Sequence, residues 1–270
     1  MAKLSWNDVG ERIFEVGVDR AVLYNQSGIG VPWNGLVAVK ENPSGGEAEP
    51  YYIDGVKYLN VSGLEEFGGS IEAYTYPDEF APCEGVVEVG DGLFVHQQER
   101  ESFGLSYRTL VGNDLEGIEF GYKIHLVYGA LAEPTSKDNQ TVGAEIDPDT
   151  FSWDFTTTPV IAVSNVNLAP LSHITIDSTK TSTTVMAMVE AYLYGTANSE
   201  PTLMTLQQLF DLFENPPLSL KIDADYENGL SPLIPDRNGD LTGDTFNGLY
   251  TTAPDSRLVE TSQPGLYILE

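Results

Sequence analysis

The sequence predicts a mainly β protein: an antiparallel β-sandwich or barrel with one flanking helix, plus a small C-terminal extension that carries a second short helix. Apolar residues make up 41 % of the 270-residue chain, including 14 Tyr and 11 Phe, a composition that forms a core. Strand patterns separated by turn signals fill roughly the first 160 residues. Helical spacing of apolar residues becomes clear only after that region.

Five segments predict strands, in chain order residues 35–40, 70–76, 103–111, 120–128 and 151–155. In 120–128, the even-numbered residues from Tyr122 to Tyr128 alternate with Lys123, His125 and Val127, and this period of two indicates a half-buried strand. Turn residues such as Asp91-Gly92 lie between the segments. Strands at this spacing favour antiparallel pairing over a βαβ fold.

The first predicted helix covers residues 182–194. Ser182 is suited to cap its start, and Gly195 to the left-handed position at its end. The apolar face that we expect to pack on the core consists of Val185, Met188, Val189, Tyr192 and Leu193.

The second predicted helix covers residues 205–214 and is stopped by Pro216-Pro217. Thr205 and Gln208 have the spacing of a capping box. The expected buried stripe is Leu206, Leu209, Phe210 and Phe213. We place the core domain at 1–196 and the extension at 197–270, in which Pro, Gly and Asp become frequent from residue 215.

The charge balance restricts the possible partners. The chain has 13 Lys and Arg against 41 Asp and Glu, a net charge of −28, and binding to phosphate needs basic side chains. We therefore expect no nucleic-acid binding through the surface. The start of the chain lacks the apolar stretch of a secretory signal, and no apolar run approaches the ~20 residues of a membrane span, so we expect no membrane partner.

No motif of catalysis is present. The three histidines, His96, His125 and His173, lie outside metal-binding spacings, and no P-loop, nucleophile elbow or dinucleotide fingerprint occurs. Cys83 has no cationic neighbour in sequence, so we expect a small packed apolar side chain. The sequence predicts no enzyme, no cofactor and no metal.

One segment comes close to a calcium loop. Asp236, Asn238 and Asp240 match the first three ligand positions, but Leu241 stands where the loop needs Gly and Asn247 where it needs Glu. A solvated turn is the interpretation that we prefer.

Several segments, taken in order, resemble the major tail proteins of siphophages, the long-tailed bacteriophages. These are GERIFEVGVDR (10–20), GVPWNGL (30–36), IEAYTYPDEF (71–80), LSYRT (105–109) with GND (112–114), GYKIHLVY (121–128) and FSWDFTTTP (151–159). The resemblance extends over residues 10–195 and adds little beyond them.

This resemblance implies a virion protein that is made in the host bacterial cytoplasm and becomes part of the tail. Subunits of this family have the fold shared with the type VI secretion tube protein, and form stacked, usually hexameric rings. The implied partners are further copies of the chain, the tape-measure protein, and the tail terminator and tail-tip proteins. Phage DNA would pass through the lumen without sequence-specific binding, since an acidic lumen repels phosphate.

Within this interpretation, the long connection from residue 42 to 67 has an expected role, as connections of this length usually do. It contains a hairpin-like stretch around Asp54-Gly55. We expect an arm that contacts a neighbouring subunit through Tyr51, Tyr52, Ile53, Tyr58 and Leu59.

Two main alternatives remain, and a capsid or head-completion protein is a third. A carbohydrate- or receptor-binding β protein of the virion would expose an aromatic groove and would form no rings. An acid hydrolase would need two convergent carboxylates with separated pKa values.

Overall fold

The computed structural model describes residues 4–137, 139, 141, 148–161 and 168–216, and the backbone of short strands at 233–235, 241–243, 258–260 and 267–269. The chain divides into two compact units, Met1–Asp211 and Leu212–Glu270. The segment just after the predicted boundary at residue 196 bonds to the first unit, where Gly30 N donates to Pro201 O and Thr202 N donates to Tyr192 O.

The fold is mainly β, with antiparallel sheets and few helices, as the sequence predicts. A 3₁₀ helix, Asp78–Glu84, and two α-helices, α1 (Thr183–Tyr194) and α2 (Leu206–Glu214), accompany the strands. The strands are β1 (Phe14–Tyr24), β2 (Gly30–Pro32), β3 (Leu36–Glu41), β4 (Ser44–Gly45), β5 (Ala48–Ile53), β6 (Val56–Ser62), β7 (Glu65–Glu66), β8 (Gly68–Ala73), β9 (Val87–Gly90), β10 (Leu93–Val95), β11 (Phe103–Asn113), β12 (Gly117–Ala132), β13 (Phe151–Thr157), β14 (His173–Asp177), β15 (Leu233–Pro235), β16 (Leu241–Gly243), β17 (Leu258–Glu260) and β18 (Tyr267–Leu269).

An eight-stranded sheet is the main element, in the order β2-β1-β11-β12-β13-β8-β3, with β14 also paired to β12. Strand β12 is 16 residues long, so two strands share it: Lys123 to Val127 pair with β14, and Ala130 to Ala132 pair with β13. Strands β11 and β3 lie far apart in the sheet order, yet Tyr107 on β11 donates a hydrogen bond to Glu41 at the end of β3. The sheet therefore curls on itself.

The core lies inside this curl. Its largest side chains are aromatic: Trp33 contacts Phe80 at 4.7 Å between ring centroids, and Trp153 contacts Phe80 at 5.4 Å. Phe80 comes from the 3₁₀ helix, which the sequence analysis did not predict. The buried cluster is Ala21, Leu23, Trp33, Ile71, Ala73, Phe80, Cys83, Phe103, Leu105, Tyr107, Val127, Ala130, Ala132, Trp153 and Phe155.

The burial of strand β12 differs from the prediction. The alternation in 120–128 predicts a half-buried strand, but residues 124–128 are all buried. Val127 faces the core inside the curl. On the other face, α1 packs on the sheet, where Tyr24 of β1 donates to Leu193 O at 2.9 Å. A strand that is covered on both faces cannot have a solvent side.

The start of each helix is confirmed. The Ser182 hydroxyl accepts from Val185 N at 3.3 Å. Thr205 and Gln208 form the reciprocal capping box, since Gln208 N donates to Thr205 Oγ1 and Thr205 N donates to Gln208 Oε1.

The predicted faces and one cap need correction. On α1, Met186 is buried while Tyr192 is exposed, and Gly195 has φ 75 but ψ 175, outside the left-handed helical region. On α2, Leu206 and Leu209 are buried, but Phe213 is exposed. Strand β8 ends at Ala73, three residues before the predicted end. No helix among the described residues is long and apolar enough to cross a membrane.

Candidate functional site

Two histidines and a glutamate meet near the end of β3. His125 Nδ1 lies 3.2 Å from His173 Nε2 and 3.3 Å from Glu41 Oε1, and His173 Nε2 lies 3.9 Å from the same oxygen. His125 is on β12, His173 begins β14, and Glu41 ends β3. The cluster therefore joins strands from separate parts of the curled sheet.

Neighbouring side chains fix the orientation of the cluster. Tyr107 stacks on the His125 ring with centroids 4.6 Å apart, and Phe67 stacks on the His173 ring at 4.4 Å. Thr109 Oγ1 lies 3.0 Å from His125 Nε2. The two imidazoles are largely buried, whereas 40 % of the Glu41 side chain is exposed. Solvent therefore reaches the cluster through the carboxylate.

The electrostatics keep both imidazoles neutral near pH 7. Burial lowers the pKa of His125 to about 4, although the charge of Glu41 acts in the opposite direction. Burial also lowers the pKa of His173, again against Glu41. Burial raises the pKa of the Tyr107 hydroxyl, and the hydrogen bond to Glu41 raises it further. Tyr107 therefore remains a hydrogen-bond donor, and the imidazoles keep unprotonated nitrogens.

This cluster was missed from the sequence. The two histidines are 48 residues apart, and no local spacing connects them with Glu41. Their proximity comes from strand pairing: His173 stands opposite Val127, and Thr175 opposite His125. Sequence alone would reveal the cluster only if the register of β12 with β14 were already known.

The second candidate site is the expected arm, which does form a hairpin. Strands β5 and β6 pair antiparallel around Asp54-Gly55, and both turn residues have positive φ, 51° and 77°. Positive φ at both positions is typical of a type I′ turn, which suits a two-residue hairpin. The short pair β4 and β7 forms its base.

One face of this hairpin is apolar. Tyr51 is opposite Leu59 and Ile53 is opposite Val56, so these four side chains lie on the same face. The opposite face carries Tyr52 paired with Lys57, and Pro50 paired with Asn60. We call the set Tyr51, Ile53, Val56 and Leu59 the arm face.

The arm face is open to solvent in the isolated chain. Its four side chains are between 40 % (Leu59) and 69 % (Val56) exposed. Tyr52 and Tyr58, the other members of the predicted set, are also exposed. The hairpin exists as predicted, and its contact with a neighbouring subunit stays a prediction.

The remaining sequence predictions have different outcomes. Cys83 is 2 % exposed and unpaired by any disulfide, which confirms a packed apolar role. The calcium-loop candidate, Asp236, Asn238 and Asp240, lies outside the described residues. His96 is exposed and lies outside the histidine cluster.

No family model matches this chain, and no curated protein matches it.

Proposed function

We propose that this chain is a structural subunit of a bacteriophage tail tube, which assembles with further copies of itself into stacked rings. The ordered resemblance over residues 10–195 and the mainly β, antiparallel architecture with flanking helices support this proposal. The tape-measure, tail terminator and tail-tip proteins are the further partners that it implies, and the chain is non-enzymatic.

The observation that carries the proposal is the arm face. A two-stranded hairpin is marginal by itself in water, and this one presents four large apolar side chains to solvent. An apolar surface of this kind marks a protein contact. A neighbouring copy in a ring would cover the hairpin and supply the burial that the isolated chain lacks.

The position of the arm in the chain allows its deletion without loss of the main sheet. Asn42 N donates to Gly68 O at 2.8 Å, and β3 pairs directly with β8. Residues 44–66 are thus an insertion in the turn of a β3–β8 hairpin. A chain without them keeps every strand of the eight-stranded sheet.

The test is negative-stain electron microscopy of purified protein, at low and high concentration and with added salt. We expect the full chain to form rings or tubes of uniform width. The chain lacking residues 44–66 should stay a folded monomer that unfolds cooperatively in urea, because only the strands β4 to β7 are lost. Normal tubes from this deletion would refute the role of the arm.

Point variants separate the two faces of the hairpin. Ile53→Ser with Leu59→Ser removes two side chains of the arm face, and should abolish assembly. The matched control, Lys57→Ser with Asn60→Ser, alters the opposite face and should assemble normally. Equal effects of the two pairs would contradict a contact through the arm face.

The same experiment tests the alternative. Compact monomers or closed trimers of the full chain under every condition, even after addition of an assembly initiator, would refute the tail tube proposal. Glycan and receptor screening would then follow, because exposed tyrosines such as Tyr51 and Tyr52 are also suited to a binding surface.

A further inference from the structure

We propose that Glu41, His125 and His173 form a binding site for a divalent transition-metal ion, of which zinc is the best fit. This site is independent of the proposed function. It rests on the positions of three ligand atoms and on the side chains that surround them.

The distances fit a common ion. Two ligands of a tetrahedral zinc ion, each about 2.0–2.1 Å from the metal, are about 3.3–3.4 Å apart. Two of the observed separations, 3.2 and 3.3 Å, match this value, and the third, 3.9 Å between His173 Nε2 and Glu41 Oε1, is about 0.5 Å longer. The centre of a triangle with those sides is about 2.0 Å from each corner, which is a zinc–ligand distance.

The ligand types determine the class of metal. Two imidazole nitrogens and one carboxylate oxygen favour Zn²⁺ and its transition-metal neighbours, whereas Mg²⁺ and Ca²⁺ prefer sites made of oxygen. Three protein ligands leave a position for water on the side where Glu41 is exposed.

Outer contacts prepare the ligands. Thr109 Oγ1, 3.0 Å from His125 Nε2, can accept the proton of that nitrogen and so leaves Nδ1 unprotonated towards the cluster. Tyr107 donates to Glu41 Oε1 at 2.7 Å. Hydrogen bonds of this kind to the ligands are the usual support of a metal site in proteins.

Without metal, the facing nitrogens need a hydrogen between them, since two lone pairs 3.2 Å apart repel. With Nδ1 of His125 unprotonated, that hydrogen belongs to Nε2 of His173. The metal takes its place, and the hydrogen moves to Nδ1 of the His173 ring. The imidazole stays neutral throughout.

The position of the site suggests a structural role. Glu41 is the last residue of β3, immediately before the connection that carries the arm. The metal would hold this end of β3 to β12 and β14, and so fix the base of the arm.

The probe is Co²⁺, which absorbs visible light when it is bound in a tetrahedral site and is displaced by Zn²⁺. The titration uses full-length protein with excess Mg²⁺, which occupies the many surface carboxylates. We expect one equivalent of Co²⁺ per chain and its displacement by one equivalent of Zn²⁺. The measurement is made on unassembled protein at low concentration, so its result does not depend on tube formation.

Variants assign the ligands. His173→Gln and Glu41→Gln should each weaken binding more than about 100-fold, since loss of an outer hydrogen bond alone costs about 10–100-fold. His96→Gln removes the exposed histidine and should bind as the unmodified chain does. Glu41 is partly exposed, so its variant keeps the fold, which circular dichroism verifies. Equal Co²⁺ binding by the His173 and His96 variants, or no tetrahedral absorption at all, would overturn the proposal.

Discussion

Burial sets the chemistry of individual side chains in this protein. Cys83 lies among the aromatic residues of the core, and this environment raises the pKa of its thiol to about 12, with the charge of Glu101 as a further cause. Burial lowers the pKa of His125 instead, because the charged form of a histidine is the protonated one. Burial therefore favours the neutral form of both.

The pKa of Cys83 has a measurable consequence. At pH 8 a thiol with a pKa of about 12 is ionised in roughly one molecule in 10,000, and the thiolate is the reactive species. We expect a thiol reagent to modify the folded protein only through unfolding. The same reagent should modify the urea-unfolded chain rapidly, since an exposed cysteine has a pKa of ~8.5. Equal rates in both states would show that Cys83 is accessible.

The sequence correctly predicted the residues that act on neighbours a few positions away in the chain. The capping box of Thr205 and Gln208 depends on a spacing of three residues. The hairpin turn depends on two adjacent residues, Asp54 and Gly55. The sequence did not predict the partners of His125, because His173 approaches through the pairing of β12 with β14 and Glu41 approaches through the curl of the sheet.

At the level of elements, close approach of strands depends on small residues. Gly69 of β8 pairs with Phe155 of β13 on one side and with Glu41 of β3 on the other. A methyl group at this position would overlap the carbonyl oxygen of Lys40 and come within 2.9 Å of the Phe155 ring. The glycine is therefore a requirement for the sheet to form this part of the curl.

We expect Gly69→Ala to lower the free energy of unfolding by about 1–3 kcal/mol, the usual cost of overpacking. Urea denaturation followed by tryptophan fluorescence measures this change. Gly90→Ala is the matched control, because no atom lies within 4 Å of a methyl group there, and its effect should stay within about 0.5 kcal/mol. An unchanged free energy of unfolding for Gly69→Ala would show that β3 or Phe155 moves aside at little cost.

The sequence predicted secondary structure better than it predicted which faces of the strands and helices are buried. Five strands of the main sheet and both α-helices were predicted because periodicity is a local property, whereas β1, β2, β14 and the 3₁₀ helix were missed. The burial of β12 on both faces was not predicted, since it depends on α1 and on the curl of the sheet. The apolar faces of the helices were wrong at Tyr192 and Phe213 for the same reason.

For the whole molecule, the net charge of −28 opposes association of copies. Two unit charges ~10 Å apart in water repel by about 0.4 kcal/mol, and many such pairs act between neighbouring subunits. Salt screens them over about 30 Å at 0.01 M and about 8 Å at 0.15 M. The apolar arm face is insensitive to this screening.

Tube assembly should therefore become faster as NaCl is raised from about 10 mM to about 150 mM. Light scattering at fixed protein concentration follows the rate, and the Ile53→Ser, Leu59→Ser variant should show no rise at either salt concentration. Assemblies that dissolve on addition of salt would instead indicate that ion pairs hold the subunits together.

Local sequence patterns predicted the mainly β class, five of the eight strands of the main sheet, both α-helix starts and the hairpin of the arm. Each of these depends on residues within a few positions of one another, where periodicity, caps and turn residues act. The tertiary structure alone decided that the sheet curls, that β12 is covered on both faces, and that Glu41, His125 and His173 meet. These features depend on the register between distant strands, which follows from the packing of the whole sheet and from no short stretch of the chain.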